Sequence, residues 1–428
     1  MDCRYATLAS AKRLATSCRS TRMTSWSRCL PDYAPRMISI NASPDERFTL
    51  RALELASKGI AMASPNPRVG AVVVNADGEV IGEGFHMYDG LKHAEVLALE
   101  QAGNAARGAT LYLNLEPCSH EGRTGPCADA VIAAGIKRVV CSMPDPNPLV
   151  AGRGFAKLRE AGVELLVGVF ADYARKLNEG FSKRIRTGLP LVTLKAAMTL
   201  DGKIAPPPAE VTDIGFSQPG WITSEIARAH VQELRHAADS IMIGVGTVVS
   251  DNPLLTDRTG LPRRRPLLRV VLDSQLRLPL DSRLVKTAHH DVLVFCSFAE
   301  EKKRAALEER GIQVEQVPLA KNEPGGVAVA GGRPDLNAVV ERLGARELNS
   351  LIVEGGAAVN WAALAAGIVD KVFLYYAPKI LGGGNAVPFA LGPGYARMDE
   401  AAYLRNLELH RFGEDFAVEG YLRDPYSD

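Results

Sequence analysis

Apolar residues from Ser43 onward recur first at helical and then at strand spacing, and the switch repeats along the chain. Phe48, Leu50, Ala52, Leu53, Leu55 and Ala56 follow a helical period behind Ser43-Pro44-Asp45, which can cap a helix, and Gly59 marks its expected end. Gly70 to Val74 is an apolar run of strand length, and the turn residues Asn75 to Gly78 before Val80 and Ile81 make it the first arm of a hairpin. A helix over Ala94 to Ala102, a strand over Thr110 to Leu115, a helix after Cys127 and a strand over Arg138 to Ser142 continue the alternation. Another helix and strand after Gly154 lead to Asn178-Glu179-Gly180-Phe181. This order predicts an α/β domain. Thr187-Gly188-Leu189-Pro190 then precedes a new strand, Leu191 to Leu194, and marks a junction. Beyond it, strands are predicted over Ser240 to Ile243, Leu268 to Leu272, Val292 to Phe295 and Ser350 to Val353, with helices over Ala227 to Arg235 and Ala299 to Arg310. No internal repeat relates the halves, so the second is a different α/β domain. The expected division is 44–187 and 190–426, with residues 1–40 apart.

At 428 residues the chain has room for two or three domains of about 150 residues. With 46% apolar and 23% charged residues it falls outside the disordered, collagen-like and coiled-coil classes. Lys and Arg number 50 against 49 Asp and Glu, so nothing in the balance calls for a nucleic-acid partner. The charge-free stretch Ile380 to Ala396 is broken by Gly382, Gly383, Gly384, Pro388, Gly392, Pro393 and Gly394, whereas a membrane span needs roughly 18 apolar residues. No membrane contact is expected. Residues 1–40 differ from the rest: Arg4, Lys12, Arg13, Arg19, Arg22, Arg28 and Arg36 face only Asp2 and Asp32. Such a segment is either an organelle transit peptide or, on the plainer reading, an over-long start or disordered tail with Met23 or Met37 as the natural beginning. The expected location is cytoplasmic, or organellar on the transit-peptide reading. Cys3, Cys18 and Cys29 lie in this segment and, without a secretory signal, do not read as a disulfide set.

His93-Ala94-Glu95, Pro117-Cys118 and Pro126-Cys127 supply one imidazole and two thiols, three of the four ligands of a tetrahedral zinc. An open fourth position marks a catalytic zinc, because water there loses a proton near neutral pH. Cys127 opens the predicted helix Ala128-Asp129-Ala130-Val131-Ile132, and a helix N-terminus favours a thiolate. Glu95 stands two residues from His93, about 200° round a regular helix, and suits a proton shuttle better than a ligand. The alternatives are core packing and a closed structural site with His120 as fourth ligand, in which Glu95 would have no role.

At these residues the sequence resembles the bifunctional riboflavin-biosynthesis deaminase–reductase family, across essentially all of the chain after the tail. Nucleoside and nucleic-acid deaminases space their cysteines Pro-Cys-x-x-Cys, whereas eight residues separate Cys118 from Cys127. The string Glu116-Pro117-Cys118-Ser119-His120-Glu121-Gly122-Arg123-Thr124-Gly125-Pro126-Cys127 is similar to the riboflavin branch, as is Ser64-Pro65-Asn66-Pro67-Arg68-Val69-Gly70. The resemblance implies a cytidine-deaminase-like α/β/α fold, zinc on His93, Cys118 and Cys127, and Glu95 as the proton shuttle. It also places Asn66, His86 and His120 against the pyrimidine or its phosphoribosyl tail. Read alone, Asn66-Pro67 is a turn and His86 a strand end.

In the second half, Ser350 to Gly356 followed by Ala357 to Ala366 reads as strand, glycine turn and helix, a geometry that can seat a phosphate or serve tight packing alone. Lys195 to Lys203, Trp221 to Ser224, Gly246-Thr247, Asp251 to Thr256, Glu354-Gly355-Gly356 and Ala377 to Gly383 stand in the order of the family's reductase domain, whose fold resembles dihydrofolate reductase and which uses NADPH. By that similarity Ala197, Trp221, Thr247, Asp251, Ser274 and the segment Gly356, Ala357, Ala358, Val359, Asn360, Trp361 and Ala362 line the cofactor. Lys195, Arg235, Leu255, Arg258 and Glu354 hold the substrate, Lys195 polarising or protonating the sugar oxygen. The arginines can grip a phosphate by forked hydrogen bonds. Taken singly, Lys195 is also an ordinary strand-end lysine and each arginine a solvated charge. The chain departs from the family between Lys203 and Trp221, where Pro206-Pro207-Pro208 and a longer loop stand and Pro219-Gly220 replaces a polar pair. The implied activity is zinc-dependent deamination of 2,5-diamino-6-(5-phosphoribosylamino)pyrimidin-4(3H)-one, then NADPH reduction of 5-amino-6-(5-phosphoribosylamino)uracil to the ribityl product, in a homo-oligomer, dimer or tetramer. Two rivals are a nucleoside or RNA base deaminase and a zinc-stabilised nucleotide sensor. Cysteine spacing and the lack of a basic patch after residue 40 oppose the first, and intact His93, Glu95, Cys118 and Cys127 the second.

Overall fold

The structure is a computed structural model and describes residues 42–120, 125–207, 220–320 and 332–427. The basic N-terminal segment and most of the Pro206–Gly220 loop therefore lie outside the described residues. Helix α1 (Pro44–Ser57) begins as the sequence predicts: Ser43 Oγ accepts the Glu46 N–H at 3.2 Å, and Glu46 Oε2 accepts the Ser43 N–H at 2.8 Å. Its end differs. Lys58 caps it in right-handed backbone, and Gly59 serves close packing instead, since a Cβ there would stand 3.1 Å from the Ala56 carbonyl oxygen.

Next come β1 (Gly70–Val74), β2 (Val80–Phe85), α2 (Ala94–Ala102), β3 (Thr110–Leu113), α3 (Cys127–Ala133), β4 (Arg138–Cys141), α4 (Arg153–Glu160) and β5 (Glu164–Val167). The strands form one sheet in the order β2-β1-β3-β4-β5, with β1 antiparallel to both neighbours and β3, β4 and β5 parallel. Strand β1 is apolar on both faces because both are covered. Val72 and Val74 meet Phe48, Ala52 and Leu55 on one side, while Ala71 and Val73 pack with Ala94 and Ala98 on the other. Helix α2 lies directly on β2, whose Gly84 would put a Cβ 2.4 Å from the Ala94 carbonyl oxygen. This close approach fixes the start of α2.

Helix α5 (Ala171–Thr187) runs through Asn178-Glu179-Gly180-Phe181 and kinks at Asn178, at φ −112° and ψ 16°. The Asn178 side chain there accepts the Arg68 N–H at 2.8 Å and donates to the Arg68 carbonyl at 3.0 Å. The second sheet is built from β6 (Leu191–Thr199), β7 (Lys203–Ala205), α6 (Glu225–Ala237), β8 (Ser240–Gly244), α7 (Val245–Asp251), β9 (Leu268–Leu272), α8 (Arg283–Lys286), β10 (Val292–Cys296), α9 (Glu301–Glu308), β11 (Ile312–Gln316), α10 (Leu336–Ala345), β12 (Ser350–Val353), α11 (Ala357–Ala365), β13 (Lys371–Ala377), β14 (Val387–Pro388), β15 (Arg405–Phe412) and β16 (Asp415–Tyr421). Its order is β11-β10-β9-β8-β12-β6-β13-β16-β15, parallel from β11 to β13 and closed by the antiparallel β16 and β15, while β7 and β14 pair separately. Apolar clusters cover both faces, Met242, Val270 and Leu351 on one and Ile241, Val271 and Ile352 on the other. Strand β6 outruns its apolar start because β13 pairs with it from Thr193 to Thr199, so Lys195 and Ala197 sit within the strand, not at its end. Both sheets belong to one compact unit of the chain. No helix among the described residues is long and apolar enough to cross a membrane.

Candidate metal centre and reductase cleft

The first site sits where two helices begin. His93 is the N-cap of α2, in extended backbone, Cys127 is the first residue of α3, and Cys118 lies between β3 and α3. His93 Nδ1 is 3.1 Å from Cys127 Sγ and 3.6 Å from Cys118 Sγ, and one donor atom from each residue lies within 4.8 Å of the others. Zinc–nitrogen and zinc–sulfur bonds of about 2.0 and 2.3 Å separate tetrahedral donors by roughly 3.5 to 3.8 Å, so the cluster fits such an ion. His120 is exposed and stands outside it. Glu408, His410 and Glu419 also gather, but Lys176 and Lys371 already engage those carboxylates.

Because His93 caps the helix rather than belonging to it, Glu95 is not turned 200° away. Its carboxyl is buried among the donors, hydrogen-bonded with Cys127, and burial pushes its pKa up. The helix start acts on the sulfur across from it: the Cys127 N–H donates to Cys118 Sγ at 3.3 Å. The bond from the Cys127 thiol, with help from His93, holds Cys118 down at about 4, and the same bond together with burial pushes Cys127 up. The hydrogen bond with Cys118 raises His93. The start of α3 thus brings the Cys127 side chain and an N–H that meets Cys118 to the same place.

Asn66 and His86 join this site. Asn66 Nδ2 lies 3.0 Å from His86 Nε2, and His86 Nδ1 lies 3.1 Å from the Lys92 carbonyl oxygen. These partners assign the proton to Nδ1, leaving Nε2 to accept from Asn66. The His86 ring meets that of His93 edge-on, with centroids 5.2 Å apart. Two residues in the neighbouring loop escaped the sequence reading. Glu116 accepts the N–H groups of Asp145, Gly152, Gly154 and Phe155, and Asp145, raised to about 6 by burial, feels the charge of His120. Glu116 adjoins Pro117-Cys118, but its partners lie 29 to 39 positions further on and leave no local signal.

The second site lies at the carboxyl ends of the parallel strands. Glu354 follows β12 level with Lys195 on β6, and Lys195 Nζ stands 3.4 Å from Glu354 Oε2. Arg235 of α6 donates its fork to both Glu354 oxygens at 2.8 and 2.9 Å and a third N–H to the Thr256 carbonyl at 3.3 Å. Burial would raise the Glu354 carboxyl, but Lys195 and Arg235 outweigh it and hold it at about 2. The Arg235 fork offered to a phosphate by the sequence is thus engaged by Glu354, whereas Arg258 is exposed. Leu255 is buried in left-handed backbone at φ 56°.

Gly356 caps α11 without a side chain, and Thr247 Oγ1 of α7 stands 3.8 Å from the place of a Cβ on Gly356. Gly355 is required, since its Cβ would lie 2.5 Å from Val359 Cβ. The bare helix start suits a nucleotide phosphate. Ala358 is exposed and Val359 and Ala362 half-buried, but Ala357, Asn360 and Trp361 are buried, with Asn360 bonded to the Phe389 carbonyl and Trp361 edge-on to Tyr395. Ala197 and Ser274 are half-buried, Asp251 exposed at the end of α7, and Trp221 exposed beneath the Arg228 guanidinium. Asp201 accepts from Thr199 Oγ1 and the N–H groups of Leu381 and Gly382, which joins the Lys195–Lys203 and Ala377–Gly383 motifs.

A soft three-donor cluster with a buried carboxyl beside it defines the first half as a zinc-dependent deaminase. A largely parallel sheet with a glycine-opened helix beside a half-buried Lys–Glu–Arg group defines the second as a nucleotide-dependent reductase. Residues 42–143 match the cytidine and deoxycytidylate deaminase zinc-binding region, and residues 190–418 match the RibD C-terminal domain. The riboflavin biosynthesis protein RibD of Actinobacillus pleuropneumoniae is 40% identical over 388 residues, covering 90% of this chain and 98% of that protein. RibD of Escherichia coli K12 is 40% identical over 385 residues, 87% of this chain and 98% of its own. Among solved structures, Acinetobacter baumannii RibD superposes with a TM-score of 0.74 at 34% identity, covering 88% of this chain and 98% of that one. A Thermotoga maritima diaminohydroxyphosphoribosylaminopyrimidine deaminase/5-amino-6-(5-phosphoribosylamino)uracil reductase gives 0.72 at 35% with the same coverage. The chain belongs to the RibD family, the bifunctional deaminase–reductases of riboflavin biosynthesis, with zinc serving the deaminase and NADPH the reductase.

Proposed function

We propose that residues 44–187 deaminate 2,5-diamino-6-(5-phosphoribosylamino)pyrimidin-4(3H)-one and that residues 190–426 reduce 5-amino-6-(5-phosphoribosylamino)uracil to its ribityl product. The substrates are those for which the Thermotoga maritima enzyme is named. The observation that carries the reading is the gathering of His93, Cys118 and Cys127 around a buried Glu95. Zinc held by these three side chains supplies Lewis acidity that brings water near neutral pKa. Glu95 takes a proton from the attacking water and hands it to the departing ring amine, a role for which a carboxyl with a raised pKa is suited. Asn66 and His86 orient the pyrimidine, and His120, exposed at the rim, meets the phosphoribosyl tail.

In the second site NADPH supplies the hydride. Ala197, Trp221, Thr247, Asp251, Ser274 and the Gly356–Ala362 segment hold it, Asn360 and Trp361 from beneath because they are buried. Lys195 protonates the sugar oxygen as the ribosyl carbon is reduced, and Glu354, fixed by Arg235, aims the ammonium. Leu255 and the exposed Arg258 complete the substrate site. We assign the working form to a cytoplasmic homo-oligomer acting on small molecules, with neither nucleic acid nor membrane as partner. Exposed Leu407 and Leu409 on the edge strand β15 support the oligomer. Purified protein given the diaminopyrimidine should release ammonia without NADPH and oxidise NADPH afterwards. Lys195→Ala should abolish only the second step, and a variant still reducing at the parental rate would exclude that lysine.

A further inference from the structure

The loop that carries Asn66 is held by three residues of the reductase half, Asp239, Arg264 and Asn349, together with Arg184 of α5. Ser64 Oγ donates to Asp239 Oδ2 at 3.0 Å, and the same oxygen accepts the Asn349 N–H at 2.6 Å. The Ser64 carbonyl accepts from Arg264 at 3.0 Å, and the Pro65 carbonyl accepts from Asn349 Nδ2 at 3.1 Å and from Arg184 at 2.9 Å. Asn349 is itself clamped, its Oδ1 accepting Arg184 Nε at 2.6 Å. Asp239 and Asn349 precede β8 and β12, so they stand at the amino-terminal edge of the nine-stranded sheet, opposite the edge where Glu354 and Gly356 lie. A short path leads from the braced carbonyls to the metal donors: Asn66 to His86 at 3.0 Å, then His86 against His93.

We propose that Asn349 and Asp239 are positioning residues for deamination: the back edge of the reductase sheet sets the Ser64–Pro65 backbone and thereby aims the Asn66 amide at the pyrimidine. This rests on the reading that Asn66 touches substrate. The physical case is one of preorganisation. A side-chain amide in a loop aims well only if its flanking peptide groups are fixed, and here two consecutive carbonyls are fixed by three side-chain donors. The arrangement also gives the fusion of the two domains a mechanical role, in which one domain completes the other's site while its own chemistry lies on the far edge.

The test uses the full-length zinc-loaded enzyme and measures ammonia release, NADPH oxidation on the aminouracil substrate, and zinc content. Asn349→Ala should raise the deamination KM roughly tenfold, the size of one lost hydrogen bond with its loosened loop, while zinc content and reduction stay within about twofold. Ser64→Ala, which removes a single hydroxyl, should move the same KM in the same direction by less. If Asn349 acts through Asn66, the double variant Asn66→Ala/Asn349→Ala should be no worse than Asn66→Ala. Unchanged deamination in both Asn349→Ala and Ser64→Ala, equal loss of both activities, or a fully additive double variant would overturn the proposal. Parental kinetics in Asn66→Ala would instead remove Asn66 from the substrate site, and the brace would lose its object.

Discussion

Glu95 and Glu354 are both buried carboxylates at the heart of a site, and their proton affinities move in opposite directions. For Glu95 burial outweighs the attraction of the neighbouring His93 imidazole, and its pKa rises. Glu354 is nearly as enclosed but lies between Lys195 and Arg235, and falls to about 2. Burial alone therefore says little about a carboxylate's task. A carboxyl for which burial outweighs its charged neighbours can gain and lose a proton during turnover, whereas one fixed in a fork between Lys195 and Arg235 stays charged and serves as an anchor.

The largest effect that can break this contrast is on Glu95. Glu95→Gln keeps the shape and loses the proton carrier, so deamination should fall about a thousandfold with zinc retained and NADPH oxidation unaffected. Ammonia release above a tenth of the parental rate would show that the carboxyl carries no proton. Chelating the zinc should give the same separation, ending deamination and sparing reduction, as dialysed enzyme assayed for both steps would reveal.

Next in size is Glu354→Gln, which leaves two buried cations facing a neutral amide. Breaking a buried pair in this way costs about 3 to 5 kcal/mol, to be read from the urea unfolding of the reductase half, together with loss of reduction. The sign of the pH dependence follows from the lowered pKa. The native state binds fewer protons here than the unfolded chain, so the stabilisation is complete above the ordinary carboxylate value of 4.5 and fades as pH falls toward about 2. The variant should lack this acid limb, and an unchanged slope between pH 5 and 3 would mean that Glu354 is not held ionised by its neighbours.

The two carboxylates also differ in how far the sequence exposed them. The donor types His93, Cys118 and Cys127 were legible because metal chemistry restricts the residues that can serve, and α2 could be placed to its last residue. What Glu95 faces was not legible, since the two-residue offset from His93 acquires its direction only when His93 turns out to be a cap. The Arg235–Glu354 fork joins positions 119 apart, and no local pattern announces it. Asn66 and His86 read alone as a turn and a strand end, and only the family resemblance placed them at the site. The length of β6 was hidden for a similar reason: its partner β13 lies far along the chain, and the alternation past Leu194 is carried by small residues and Lys195.

A smaller change should touch the cofactor side alone. Gly355→Ala drives a Cβ to 2.5 Å from Val359, so the start of α11 must shift. Overpacking of this kind costs about 1 to 3 kcal/mol, and we expect a roughly tenfold rise in the KM for NADPH with ammonia release unchanged. A parental KM would mean that the bare helix start does not meet the cofactor.

The smallest expected effect is the control on which the contrast depends. Ser43→Ala removes the acceptor for the Glu46 N–H and the hydroxyl that donates to Glu46 Oε2 at 2.9 Å, leaving only the backbone N–H of position 43 on that carboxylate, which should lower stability by about 1 kcal/mol. Helix α1 packs on Val72 and Val74, the face of the first sheet opposite Ala71 and Val73, against which the zinc-side helices lie. A loosened α1 start therefore has the whole sheet between it and Glu95. Both activities at 25 °C should match the parent while the thermal midpoint drops. A selective fall in deamination would mean that strain crosses the sheet to the metal side, and the surroundings that raise the Glu95 pKa would then have to include α1 as well as the helices that carry the donors.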